Sequence, residues 1–287
     1  MFGQEKFENI NKILNRRFTE KKALVAVHRG AWGGNIVENT IPSFDLSIDM
    51  GGDIFECDIS SSTDGILYVF HDGTEPLLLG CSENIKTMSS QEIEQFEYLN
   101  SIGKLSGAKV EPYEKVAAYF TGEVLYNIDR AWDCLPQLAE VLRKYPHTLN
   151  QAIIKTPVTE EYLDFFNNCR EKYMYMPIVY NMEEVDKVLS YTNVNTVGME
   201  LITGSNDGEL FLQKNINYIK SHNLFVWANV ITLAGHGQHR LFGELDDDMA
   251  LLVSKDRSWG EALRKGIDVL QTDWPLQLCR FRDTYFK

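Results

Sequence analysis

IFECDISSSTDGILYVFHD, residues 54–72, decides the fold. Asp64-Gly65 stands between two apolar runs, a strong short-range signal for a tight turn between antiparallel strands. The run Ile66 to His71 therefore folds back on its predecessor instead of passing through a helix. That matters for the strand count. Strands are predicted at 24–28, 53–60, 66–71, 123–129, 151–155, 174–180, 195–200, 224–230 and 267–272. Between most of them lie helical patterns, over 43–50, 136–144, 160–172, 183–190, 210–221, 259–265 and 275–282. Alternation of strand and helix argues for a parallel sheet, because each crossover needs a helix. With the hairpin arm set aside, eight parallel strands remain. The expected fold is a (β/α)8 TIM barrel. It has an antiparallel arm after its second strand and a small insertion at about 73–112. No internal repeat or low-complexity linker interrupts the 287 residues, so one domain over 1–287 is expected.

The same stretch points to chemistry. Strand alternation places Glu56, Asp58 and Ser60 on one face and Cys57 and Ile59 on the other. A two-residue turn at Asp64-Gly65 would set Asp58 opposite His71, and opposed side chains share a face. Two carboxylates and a histidine then converge, either as a metal site or as a polar strand end facing water. A second cluster lies in VHRGAWGGNIVENT, residues 27–40, just after the apolar run ALVAV. His28 and Arg29 sit where that strand ends, and the glycines behind them allow a sharp turn or a close approach to a ligand.

Bulk properties exclude several function classes. With 28 basic against 41 acidic residues the formal charge is −13. A polyanion meets a repulsive average field and no basic stripe, so nucleic acid is not an expected partner. An anionic membrane surface is disfavoured for the same reason. A small anion remains open, since a local Arg or Lys can oppose the global sign at short range. The five cysteines are scattered without a CxxC pair, which argues against a disulfide framework and a structural zinc site. No stretch has the length of a membrane span, and the N-terminus lacks the apolar centre of a leader. The expected compartment is the cytoplasm, or an extracytoplasmic one if a leader has been removed.

HRG (28–30), ENT (38–40), ECD (56–58), TDG (63–65) and HD (71–72) follow one another in an order that resembles the glycerophosphodiester phosphodiesterase family. Trp227 with Asn229, and TDWP at 272–275, are similar to that family's last two strand signatures. The resemblance implies a TIM barrel acting on glycerophosphodiesters with a divalent cation. It assigns His28 and His71 as general acid and base, Glu56 and Asp58 as metal ligands, and Arg29 as a phosphate ligand. The family's third carboxylate ends an Asn-Ile-Glu triplet; here NID puts Asp129 in that place. Asp129 is one methylene shorter than the usual Glu. The usual lysine two positions on is Ala131, while Arg130 points the other way by alternation. Lys155, ending the next strand in AIIK, is placed to supply the missing cation from a neighbouring wall and, with Arg29, to bind the anionic substrate. The segment after His71 lacks the family's pattern, so a divergent substrate entrance is expected.

These residue types suit phosphodiester hydrolysis. The substrate is a monoanion with a poor alkoxide leaving group, so the reaction needs charge neutralisation, a positioned nucleophile and a proton for the departing oxygen. An imidazole titrating near pH 6.5 suits the proton traffic. Hard oxygen ligands without Cys or His favour Mg²⁺ or Ca²⁺ over zinc. Glu38 is placed to orient Arg29 or a metal water, or else to cap its helix. Trp227 is expected to face inward, against the substrate or as barrel filling. His236 and His239, near Asp246 to Asp248, read as part of a loop over the barrel mouth rather than as metal ligands. The expected activity is metal-dependent hydrolysis of a small-molecule glycerophosphodiester to glycerol 3-phosphate and an alcohol. The alternatives are a phospholipase-type cyclising phosphodiesterase and a catalytically impaired barrel that binds a phosphodiester.

Overall fold

Eight strands are parallel and close on themselves: β1 (Leu24–Val27), β2 (Ile54–Ser61), β4 (Leu125–Asp129), β5 (Ala152–Pro157), β6 (Met174–Val179), β7 (Gly198–Leu201), β8 (Phe225–Asn229) and β9 (Val269–Thr272). The ninth, β3 (Leu67–Val69), lies antiparallel on the outer part of β2. These elements come from a computed structural model that describes residues 1–205, 207–233 and 241–287. β1 pairs with both β9 and β2, which closes the ring. The fold is the (β/α)8 barrel that the strand count implies. His236 and His239 lie outside the described residues. Among the described residues no helix is long and apolar enough to cross a membrane.

Alternation along each strand sorts the side chains. Outward residues such as Phe55, Cys57, Tyr126 and Val226 pack beneath the helices in the larger core. Inward residues change character with height. At the base lie Leu24, Ile54, Leu125, Ile153, Met174 and Phe225, with Ala26, Met176 and Trp227 above them. One or two steps further along, the inward positions carry Glu56, Asp58, Asp129 and Lys155. The barrel is thus apolar at its floor and charged at its mouth. Gly198 leaves room for the floor, since a Cβ there would sit 2.2 Å from the Phe225 ring.

A helix that the strand-by-strand reading leaves out, Glu8–Lys21, seals the base. Ile13, Leu14 and Phe18 pack against the lower barrel residues. Asn11 and Asn195, both buried, exchange two amide hydrogen bonds of 2.9 Å beside them.

The hairpin departs from expectation in register. Ser61 pairs with Leu67, Ser60 with Tyr68 and Ile59 with Val69. The Phe70 amide donates to the Asp58 carbonyl at 3.0 Å, so Asp58 faces Phe70 and not His71. The cause is the turn. Ser62 N donates to Ile66 O at 2.9 Å, enclosing the three residues Thr63, Asp64 and Gly65. Gly65, at φ +84°, takes the left-handed position that ends such a loop. One extra loop residue shifts the ladder by one, and His71 leaves the strand before any pairing.

Residues 73–112 build their own small core. Leu78, Leu79, Ile85, Met88, Ile93, Tyr98 and Val110 pack on Tyr68, Phe70 and Val37. This segment therefore stands beside the first loop of the barrel mouth.

Candidate active site

Register brings the acidic residues together. Asp58 on β2 is the direct pairing partner of Asp129 on β4, and Glu56 is level with Asn127. One carboxylate oxygen from each of Glu56, Asp58 and Asp129 lies within 4.8 Å of the others. Glu56 and Asp58 are buried, and Asp129 partly so. Among the described residues no His or Cys joins this cluster, so its donors there are hard oxygens.

The loop after β1 wraps around these carboxylates. Arg29, at φ +53°, sits in left-handed backbone that is uncommon for a residue with a Cβ. This conformation aims its amide at Glu56 Oε2, 2.8 Å away. Its guanidinium donates from one terminal nitrogen to Glu38 Oε1 at 2.8 Å, and its Nε lies 3.2 Å from Asp58 Oδ2. Glu38 is thus an orienting partner of Arg29. Asn39, also left-handed at φ +56°, donates from Nδ2 to Asp58 Oδ2 at 2.9 Å and accepts the Asp58 amide at 3.0 Å. Gly30 lets the loop lie flat against the following helix, because a Cβ there would be 2.4 Å from Ser43 Oγ.

Lys155, from β5, is buried between two carboxylates, 2.8 Å from Asp129 Oδ2 and 2.9 Å from Glu200 Oε2. It supplies charge to this acidic cluster from the neighbouring wall, where Ala131 supplies none. Glu200 on β7 is in turn held by Asn229 Nδ2 at 2.6 Å. Arg130 turns away from the cluster, as alternation requires, and its Nε donates to Asp72 Oδ1 at 2.7 Å.

Trp227 does not reach the mouth. It is fully buried, and its indole N–H donates to Asn229 Oδ1 at 2.9 Å and to Gln271 Oε1 at 3.2 Å. Contact with a substrate is therefore corrected to filling the barrel beneath the site. Two strand positions separate it from the mouth, and the polar residues above it close the way.

The two histidines have different settings. His28 Nδ1 is 2.9 Å from Asp273 Oδ1, so an imidazolium there is hydrogen-bonded. Burial works against its charge, but Asp273, with Glu56 behind it, more than offsets this and raises the pKa above the ordinary imidazole value. His71 is shifted the other way. Burial lowers it, and Arg29 and Arg130 add to this against Asp58. Among the described residues, its buried Nδ1 has no hydrogen-bond partner.

Asp273 itself is held in place. Buried Asp247 accepts from the Asp273 amide at 3.1 Å, from Thr272 Oγ1 at 2.8 Å and from Trp259 Nε1 at 2.9 Å.

Electrostatics describe a site short of positive charge. Burial, with the repulsion of Asp58, pushes the Glu56 carboxyl up to about 8. Asp129 also lies above the usual carboxylate range, through burial and despite Lys155. Asp58 lies below it: burial raises it, but Arg29, His71, the Asn39 hydrogen bond and His28 together outweigh burial. A proton on Glu56 does what a cation would do. Three converging hard-oxygen donors with that deficit fit a divalent ion.

The fold and this constellation define a (β/α)8 barrel whose mouth combines an acidic cage, a clamped guanidinium and paired imidazoles. The chain belongs to the glycerophosphoryl diester phosphodiesterase family, whose sequence profile matches residues 28–199. The profile of a domain of unknown function matches residues 175–281. A glycerophosphodiester phosphodiesterase of Caldanaerobacter subterraneus subsp. tengcongensis is 31% identical over 110 residues, covering 38% of this chain and 45% of that protein. The chain therefore matches less than half the length of this curated relative. A glycerophosphoryl diester phosphodiesterase structure from Parabacteroides distasonis superposes with a TM-score of 0.72 at 14% identity, covering 91% of this chain and 86% of that one. A phosphodiesterase from Oleispira antarctica, solved in complex with the product sn-glycerol-3-phosphate, gives a TM-score of 0.66 at 16% identity, covering 91% of this chain and 96% of that one. At these identities the structural likeness establishes the fold.

Proposed function

We propose that the protein, acting as one domain, hydrolyses a glycerophosphodiester to glycerol 3-phosphate and an alcohol with the help of a divalent cation. The observation that carries this reading is the convergence of Glu56, Asp58 and Asp129 beside Arg29 and the two histidines. Family membership and the product complex of the Oleispira phosphodiesterase support the substrate class.

Glu56, Asp58 and Asp129 would hold Mg²⁺ or Ca²⁺, which when bound would polarise a phosphoryl oxygen and stabilise the transition state by several kcal/mol. The protein's own groups do the rest. Arg29, braced by Glu38 and Asp58, orients the phosphate. His71, neutral near pH 7, takes the proton from the attacking oxygen of water or of the glycerol hydroxyl. His28, whose protonated form Asp273 favours, gives its proton to the departing alcohol. One P–O bond forms and one breaks, and when the glycerol hydroxyl attacks, water then opens the cyclic phosphate. Lys155 offsets the charge of Asp129 within the ligand set.

The deciding experiment is choline release from glycerophosphocholine by purified protein. EDTA abolishes release, and Mg²⁺ or Ca²⁺ restores it. Binding of the phosphodiester without any cation-dependent product would instead identify a barrel that binds and does not turn over.

The environment of His28 gives a pH prediction. A group that must be protonated sets the alkaline limb of kcat against pH. Because Asp273 raises His28, Asp273→Asn moves that limb to lower pH and leaves the acidic limb, set by His71, in place. An unmoved alkaline limb would remove His28 from the role of acid.

A further inference from the structure

The loop after β1 and the 73–112 segment leave a cleft of about 220 Å³ between them, walled by Trp32, Ile36, Val37, Leu77, Leu78 and Leu99. Its walls are tied together: Asn100 Nδ2 donates to Asn35 Oδ1 at 2.8 Å, and the Ser101 amide to Gly34 O at 3.3 Å. Glu38 also lines the cleft, and Glu38 is the residue that holds the Arg29 guanidinium. The cleft therefore adjoins the Arg29 end of the candidate site, with Glu38 between them. Among the described residues it has no other charged lining residue, and Arg29 answers the charge of Glu38. Apolar side chains stand open at its edge, with Trp32 51%, Leu77 72% and Ile102 76% exposed. Exposed apolar surface gathered at one place marks a ligand or partner site. An anionic membrane is a poor candidate for a chain of net charge −13. An apolar extension of the molecule whose phosphate sits at Arg29 meets every one of these features.

We infer that this cleft receives a single hydrocarbon chain, so that the preferred substrate is an amphiphilic, single-chain phosphodiester and not a wholly water-soluble one. The inference rests on the phosphodiesterase reading and specifies its substrate. The reaction is unchanged: the attacking oxygen joins phosphorus, the P–O bond to the alcohol breaks, and the alcohol carries away the proton.

The test compares kcat/KM, below micellar concentrations, for glycerophosphocholine and its butyl, octyl and dodecyl ethers on the glycerol. A matching series carries the chain on the leaving alcohol. In one of the two series kcat/KM rises about fourfold per methylene until the chain outgrows the cleft; which series rises tells which ester bears the chain. Leu77→Gln and Trp32→Ala flatten that rise and leave turnover of glycerophosphocholine unchanged. Flat dependence in both series with glycerophosphocholine still hydrolysed overturns the inference and keeps the phosphodiesterase. A rise that Leu77→Gln leaves as steep overturns it too. If nothing is hydrolysed, the phosphodiesterase reading falls, and calorimetry with dodecylphosphocholine decides the cleft. Tighter binding to the wild type than to Leu77→Gln supports it, and equal binding overturns it.

Discussion

Replacing His71 with alanine is expected to lower kcat on glycerophosphocholine by about 10²–10⁴-fold, the span of a lost general acid or base. His71 follows β3, and Phe70 takes the last contact with the ladder, through the Asp58 carbonyl at 3.0 Å. The ring is thereby released from the strand, and its buried Nδ1 has no protein partner among the described residues. Alanine removes an imidazole whose buried Nδ1 is unpartnered among the described residues, so the fold is kept and the loss falls on kcat. His28→Ala loses a similar factor by removing the proton donor for the leaving alcohol. Its combination with Asp273→Asn loses little more than His28→Ala alone, because Asp273 acts through His28 and residues acting as one unit are not additive. Cation affinity, read by calorimetry, stays at the wild-type level in both alanine variants, since neither histidine belongs to the acidic cage. Near-normal kcat in both would end the two-imidazole mechanism.

The fold was legible because its signals are local. All nine strands are present, and the inward alternation of Glu56 and Asp58 survives in the structure. The hairpin register was less so. Asp64-Gly65 closes either a two-residue or a three-residue loop, and the choice depends on which residue goes left-handed. At Gly65 that is a backbone state, not a composition. The helix Glu8–Lys21 carried a readable spacing, with apolar residues at Ile10, Ile13, Leu14 and Phe18. What it packs against, the open floor of a barrel, is a tertiary fact.

The site divides along the same line. Glu56, Asp58, Asp129 and Lys155 each end an apolar run, so strand parity alone carries them to the mouth. Asp273 and Glu200 went unassigned, because each answers to a partner far along the chain. Parity gave part of the signal for Asp273: Val269 and Gln271 face inward, so Asp273 does too. Thr272 pairs with Val27, which puts Asp273 level with His28. Nothing local marks Glu200 as the partner of Lys155. For Trp227 parity gave the inward face and left substrate contact and barrel filling both open, since it does not give depth below the mouth.

Lys155→Met is the second large effect expected, on stability more than on rate. The Lys155 side chain is 3% exposed, and its ammonium touches Asp129 and Glu200 together. Removing one member of a buried ion-paired set leaves uncompensated charge in low dielectric, at a cost of about 3–5 kcal/mol. Urea unfolding in the presence of chelator measures it, as a lower midpoint at unchanged slope. The deficit also depends on pH, with a sign fixed by Asp129. Its carboxyl already lies above the usual range through burial, and the loss of Lys155 takes away the group that restrains it. An acid raised on folding stabilises below its unfolded pKa and loses that contribution as pH rises through its folded pKa. The variant is therefore closest to wild type in acid and falls further behind as pH increases. Adding Glu200→Gln removes the second buried charge, so the double variant is less destabilised than the two single losses added together. If Lys155→Met unfolds at the wild-type midpoint across this range, the ammonium holds no charge balance in the barrel, and its place between Asp129 and Glu200 has no energetic consequence.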